Sequence, residues 1–515
     1  MMKKTLFALS VLTVLAVAAS AAPLKIGWAT RDITGEVGDM IPGQSHRRIS
    51  QGTLDPLSLT VLVIDNGEDS IVFLSADITS WNPRLQSAVR KEFEKAKDIN
   101  FDKIIFSSTH THTSGNLWAS PLPDPKKDAW KYIKFLSNQC VEAVREAWEK
   151  RAPGGVAWGI GFATIGWNRR AVYFDDVSTR PEANYNSQLI DGHARMYGKT
   201  NDPKFSGLEG GGDPHIQFLY TFDPQSKLTG AVINVACPSQ CSEMLRKYSA
   251  DFWGNARQLI RAKHGNIPIL AQCSAAGDLS PHLRYLKPAI ERRYRLKYGR
   301  PAAYQGEWRR ADIAAEIDHS FEEVLSWAKK DIRTDLPIAN RRIKLDLPQF
   351  VPAEEELAAA RRFMEKHPEP PKGSGDKGTP EERRKADALR FHYNRVKEVL
   401  ARTEALKKNP NRTISCRINV ARLGEIAFAS NPYELYLDYA QRIQARSPFE
   451  QTFIVQLSLG GEGGYLPTER SHANRGYGSS YYSCPVDPAG GQQLVETTLE
   501  NLNSMAAPQP RPAKK

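Results

Sequence analysis

Cysteine is scarce in this chain, and no long apolar run lies beyond its first twenty residues. The six cysteines, Cys140, Cys237, Cys241, Cys273, Cys416 and Cys484, are too widely spread for the staple framework of a small disulfide-held domain. A chain of 515 residues needs no bridges to be stable, and one or two disulfides, or none, all fit this spacing. Cys237 and Cys241 stand at a loose metal-ligand spacing, yet no second such pair accompanies them, which argues against a zinc ribbon. No later stretch of about 18 apolar residues exists, so no membrane-spanning helix is expected. Basic and aromatic residues do not interleave as a nucleic-acid groove requires, and no internal repeat is visible.

The N-terminus does carry a short apolar core, Leu6 to Ala18, behind Lys3 and Lys4 and ahead of the small residues Ala19-Ser20-Ala21-Ala22. This reads as a signal peptide over residues 1–21, cleaved after Ala21, and predicts a secreted or periplasmic protein. No cysteine at the cleavage point offers a lipid anchor. Hydrophobic residues make up 41% of the chain, enough for a real core. The formal charge of +12 includes Lys3, Lys4 and the basic tail from Arg511 to Lys515, so the folded part is only mildly basic and reads as an ordinary solvated surface. Two or three average domains, or one large unit, fit the length.

Along the chain, Leu59 to Ile64 and Ile71 to Leu74 flank Asp65-Asn66-Gly67, a strong hairpin signal. Helical spacing follows from about Arg84 to Lys97 and from Lys127 to Lys150. Val156 to Asn168 reads as extended, Tyr173 to Gly212 as a long irregular stretch, Gln217 to Val235 as a hairpin, Asp251 to Lys263 as helix and Ile267 to Cys273 as strand. This alternation predicts an α/β (mixed α+β) fold with a large layered sheet core. Residues 350–410 differ in composition: charged, Ala-rich segments surround Pro368-Glu369-Pro370-Pro371 and Gly373-Ser374-Gly375. They predict a helical hairpin inserted into the scaffold. Ile414 to Ala429 returns to strand patterning, and Asn431-Pro432-Tyr433-Glu434 opens a helix running to about Arg446. The Pro-rich residues 506–515 predict a disordered tail.

Two motifs carry chemistry. A strand-like run, Lys103 to Phe106, ends in Thr109-His110-Thr111-His112, and another, Ile267 to Ala271, leads to Gly277-Asp278-Leu279-Ser280-Pro281. Two imidazoles one residue apart in a loop after a buried strand can be aimed at one centre, and strand ends are where open α/β sheets place their chemistry. The two motifs together point to a metal-assisted hydrolase.

Further pieces carry a resemblance. Gly27 to Gly35 (GWATRDITG), Ser108 to Gly115, Asn168-Arg169, Ala276 to Pro281, Pro432-Tyr433-Glu434, and Gly464 to Thr468 with Gly476-Tyr477 occur in the order seen in the neutral/alkaline non-lysosomal ceramidase family. From about residue 24 to 502 the chain resembles the N-terminal amidase domain of that family. The resemblance implies one amidase domain over 22–505, its active site at strand ends, cleaving an N-acyl amide bond. It implies one Zn2+ held by His110, Glu434 and Tyr477. His112 would act as general acid/base or polarising group, and Arg169 and Tyr465 would hold the amide oxygen as charge develops. Asp278 and Ser280 would complete the centre, Ser280 as nucleophile or as a substrate hydrogen-bonding group. Zinc lowers the pKa of bound water and polarises a carbonyl, while the leaving nitrogen still needs a proton.

Three departures accompany this resemblance. The family has a further His ligand after a run resembling Ala231 to Val235, where this chain reads Asn234-Val235-Ala236-Cys237-Pro238-Ser239-Gln240. Cys237, His215, His282 or no protein atom takes the fourth position. The family's C-terminal β-sandwich is not expected, and the 350–410 insertion is foreign to the pattern. The expected partner is a small-molecule or lipid N-acyl amide, compatible with peripheral membrane contact, with no obligate protein partner. Two rival readings stand beside it: a serine-type deacetylase or esterase acting on envelope sugars or lipids through Ser280, and a catalytically silent binding protein on the same fold.

Overall fold

Three β-sheets built on one plan carry the molecule. The computed structural model describes residues 23–118, 128–180, 192–299, 305–373 and 378–506; the expected signal at 1–21 lies outside them. The first sheet contains β1 (Lys25–Asp32), β2 (Ser58–Asp65), β3 (Ser70–Ala76) and β4 (Ile104–Ser108), ordered β4-β3-β2-β1, with the two-residue strand 152–153 at its edge. The second is β8-β7-β6-β5, from β5 (Gly155–Phe162), β6 (His215–Phe222), β7 (Leu228–Val235) and β8 (Ile269–Cys273). The third is β9-β10-β11-β12, from β9 (Ile338–Pro348), β10 (Thr413–Leu423), β11 (Ile426–Ser430) and β12 (Gln451–Val455). In each, three strands meander antiparallel and the fourth joins parallel to the third.

A parallel neighbour requires a crossover, and a helix supplies it each time. These are α1 (Pro83–Lys95), α3 (Phe252–His264) and α8 (Leu437–Arg446); α2 (Lys131–Glu149) packs beside α1. Local sequence explains α1. Asn82 accepts the amides of Arg84 and Leu85, Pro83 opens the helix, and Leu85, Val89 and Phe93 fall on one buried face.

The strands are apolar on both sides because both sides are covered. In β2, Leu59, Val61 and Val63 face one core beneath the outer helices, while Leu62 and Ile64 face a core shared by all three sheets. Phe428 packs against both Phe73 and Phe453 in that shared core, with ring centroids 4.6 Å from each. The expected layered core is therefore three sheets wrapped about a common apolar centre.

The Asn66-Gly67 hairpin forms as expected, with Gly67 at φ +81°. Several elements were not foreseen, among them α4 (Lys287–Tyr298), α5 (Gln305–Ala328), α10 (Pro488–Ala506), β9 and β12. Ala506, assigned to the tail by sequence, is the last residue of α10; residues 507–515 lie outside the described range. The helix expected to open at 431–434 starts at Leu437, because Glu434–Leu435 pair in parallel with Tyr465–Leu466. The insertion forms α6 (Glu354–Lys366) and α7 (Pro380–Lys408), the latter opened by a capping box between Thr379 and Glu382. A short helix, α9 (Glu469–Asn474), precedes the Tyr477 loop. All six cysteines are buried free thiols. Among the described residues, no helix is long and apolar enough to cross a membrane.

Candidate active site

The loops that follow the parallel strands of all three sheets converge. β4 leads into His110, whose backbone sits at φ +62°, a left-handed conformation costing on the order of 1 kcal/mol or more outside glycine. Thr111 and Thr113 hydroxyls fix this loop by donating to the Ser249 carbonyl, each at 2.8 Å. His110 Nδ1 lies 2.6 Å from the Thr79 carbonyl, which follows β3. A carbonyl accepts only, so Nδ1 donates there and Nε2 is left to face the centre. That atom faces Glu434 Oε2 at 3.5 Å.

Glu434 comes from the loop after β11. Burial pushes its carboxyl up, but His110, Arg169 and the Tyr465 hydroxyl outweigh burial and hold it below the ordinary range. Arg169 Nη2 stands 3.6 Å from the same oxygen, donates to Gly277 O at 2.8 Å and reaches the Tyr465 hydroxyl at 3.4 Å. Tyr465 is pushed well above the usual phenol range, first by burial and then by the Glu434 charge, so it stays a neutral donor. Tyr477 stands beside it, ring centroids 5.4 Å apart. Gln456, after β12, accepts the amides of Ala276 and Leu435 through one oxygen and so ties the second and third sheets' loops together.

His112 lies next to His110, rings 4.9 Å apart. Its Nε2 is 2.8 Å from Gln240 Nε2 and its Nδ1 is 3.5 Å from Glu243 Oε2. Arg169 Nη1, a donor, lies 3.4 Å from Gln240 Oε1, which fixes the amide orientation and leaves the NH2 to donate to His112. Nδ1–H therefore faces Glu243. Burial, reinforced by His110, Arg48 and Arg169, holds this imidazole well below its ordinary pKa, so it is neutral at pH 7.

The remaining sequence candidates sit further back. Asp278 does not face the imidazoles: its carboxylate accepts the Leu437 amide and the Asn168 side chain, each at 3.0 Å, and thereby caps α8. Burial raises its pKa to about 6. Ser280 is buried in a short pairing with Trp167, and its Oγ accepts the His282 amide at 3.1 Å. It also neighbours Tyr197, whose hydroxyl accepts from Arg169 Nη1 at 2.9 Å. His282 Nε2 is spent on the Gln240 carbonyl at 3.2 Å, and His215 on Asp213 at 2.7 Å. Cys237 is a buried thiol, its pKa well above normal, directed at the Ile165 and Pro238 carbonyls. None of these three contacts His110 or Glu434 among the described residues, and no group of three or more His, Cys, Asp and Glu gathers there.

Sequence reasoning did not single out Gln240, Glu243, Tyr197 or Arg48. Arg48, fully buried, donates to the His112 carbonyl at 2.5 Å and to Leu245 O at 2.9 Å. One signal pointed to Gln240: it lies in the segment where the family's extra histidine is missing.

No family model and no curated protein matches the chain. Solved structures do. One is the neutral ceramidase from Pseudomonas aeruginosa, 15% identical with a TM-score of 0.63, the match covering 96% of this chain and 77% of that one. Another is a ceramidase complexed with C2, 14% identical with a TM-score of 0.62 and the same coverage. At this identity the likeness concerns the course of the backbone: the chain shares the fold of neutral ceramidase.

Proposed function

We propose that this protein is a zinc-dependent amidohydrolase that cleaves an N-acyl amide at the centre around His110 and Glu434. The observation that carries the proposal is the placement of His110: with Nδ1 committed to the Thr79 carbonyl, Nε2 is aimed at the Glu434 carboxylate. Metal-binding histidines are held this way by a backbone carbonyl. The 3.5 Å between Nε2 and Oε2 is close to the edge, about 3.3 Å, of a tetrahedron with zinc-like bond lengths. His110, Glu434 and the Tyr477 phenol would hold the ion. When bound, Zn2+ supplies a water acidic enough to ionise near neutral pH and a Lewis acid for the carbonyl.

The chain's own groups account for the rest. Arg169 and Tyr465 both donate toward the Glu434 side of the centre, where the amide oxygen gains charge. His112, neutral with Nδ1–H directed at Glu243, can take up a proton and pass it to the leaving nitrogen. The serine-led alternative has less support, because among the described residues no imidazole hydrogen-bonds to Ser280 Oγ. The basic and apolar start of the sequence supports export of the enzyme.

The test is a panel of N-acyl amides with and without a chelator, together with Glu434→Gln. Activity should vanish on chelation and return with zinc, and the variant should lose about 10²- to 10³-fold in kcat/KM together with its bound zinc. Hydrolysis indifferent to the chelator would sink the metal reading.

A further inference from the structure

The insertion places a positive charge beside the site. α7 reaches from the segment 40–49, where Asp387 accepts the Arg47 amide at 3.1 Å, to the loop beyond Tyr477, where Arg402 donates to Tyr481 O at 2.5 Å and Cys484 O at 3.3 Å. The fifteen-residue rise from Asp387 to Arg402 spans about 22 Å of helix. Spacings of four and seven put Asp387, Phe391, Arg395 and Arg402 on one face, so Arg395 lies between the two anchored ends. Its guanidinium stands 5.6 Å from the Phe391 ring and 5.8 Å from the Tyr482 ring.

Arg395 is half-buried, yet among the described residues it makes no hydrogen bond and no ion pair. The polar groups around it are the phenols of Tyr477, Tyr482 and Tyr465 and the carboxylate of Glu398, an exposed residue one turn along its own helix. A guanidinium withdrawn from water calls for an anion with which to pair. The hairpin against α7 adds a second cation in the same condition: Arg47, whose Nε is buried with no partner.

We infer that Arg395 binds a negatively charged group of the substrate, so that the amide cleaved here carries an anion such as a carboxylate near its scissile bond. This rests on the amide-hydrolase reading of the neighbouring centre, and the experiment separates the two. Binding of N-dodecanoylglycine and of its uncharged counterpart N-dodecanoylethanolamine is measured in a Glu434→Gln background, where turnover does not intrude; kcat/KM for both is measured in the otherwise unaltered enzyme. The carboxylate compound should bind about 10- to 100-fold more tightly. Arg395→Met should abolish that preference while leaving the neutral compound unaffected, and Arg395→Lys should restore part of it. Equal or weaker binding of the carboxylate compound, or a preference that survives Arg395→Met, overturns the inference. Should Arg395→Met not fold, the head-group comparison in the unaltered residue 395 background and in Arg395→Lys decides. A binding preference without hydrolysis of any amide would overturn the amidase reading and leave the anion site standing.

Discussion

At Gly277 the backbones of two site loops come too close for a side chain. A Cβ there would fall 2.3 Å from the Glu434 carbonyl oxygen, and the Gly277 amide already donates to Leu435 O at 2.8 Å. Gly277→Ala should therefore displace Glu434 while leaving the three sheets intact. A shift of about 1 Å at a reacting centre costs on the order of 10²-fold, so kcat/KM should fall by that amount with a nearly unchanged circular dichroism spectrum. Full activity in this variant would show that Glu434 does not need its present position. The same contact shows what single residues disclosed in the sequence. His110, His112, Arg169, Glu434 and Tyr465 stood in motifs and do meet in space. Gln240 and Glu243 had no motif, because their roles arise from the far end of another sheet. Asp278 stood in a motif, but its carboxylate serves a helix 159 positions further on.

Among the elements, α7 was legible as a helix and illegible as a part of the site. Its charged, Ala-rich composition announces helix, whereas composition says nothing of what the buried stripe touches. His392 on that stripe lies 2.9 Å from the Tyr482 hydroxyl and is fully buried. Burial, with His367 nearby, lowers its pKa from 6.5 to about 4. The unfolded chain thus binds a proton that the folded one refuses between those values, so stability is complete above pH 6.5 and drains away as pH falls toward 4. At about 1.4 kcal/mol per pH unit the loss approaches 3 kcal/mol. Thermal midpoints between pH 7.5 and 4.5 should fall less steeply in His392→Leu than in the parent; parallel curves would remove His392 from the account. Two other elements were hidden for stated reasons. α10 carries Gly490 and Gly491 in its first turn, poor helix formers, because a Cβ at 491 would lie 2.3 Å from the Tyr439 ring. The start of α8 was misplaced because the Leu437 amide is accepted by the distant Asp278, not by a neighbouring side chain.

The molecule as a whole repeats one topology three times without a sequence repeat, since each copy needs only apolar strands and a crossover helix, not the same residues. What joins the copies is partly ionic. Asp77, at the end of β3, accepts the Ser58 amide and both terminal nitrogens of Arg257 on α3, the crossover of the second sheet, and the pair is almost wholly buried. Removing one member strands a charge, so Asp77→Ala should cost about 3 to 5 kcal/mol, while Asp77→Leu combined with Arg257→Met should recover most of it. Denaturant unfolding of the three variants measures this, and a double variant no better than the single would contradict it. A different consequence follows from the six buried thiols. No covalent cross-link has to be made or matched, so the polypeptide should regain its structure after denaturation equally well in strong reductant or in air, and a bacterial cytosol is as suitable a place to manufacture it as an oxidising compartment.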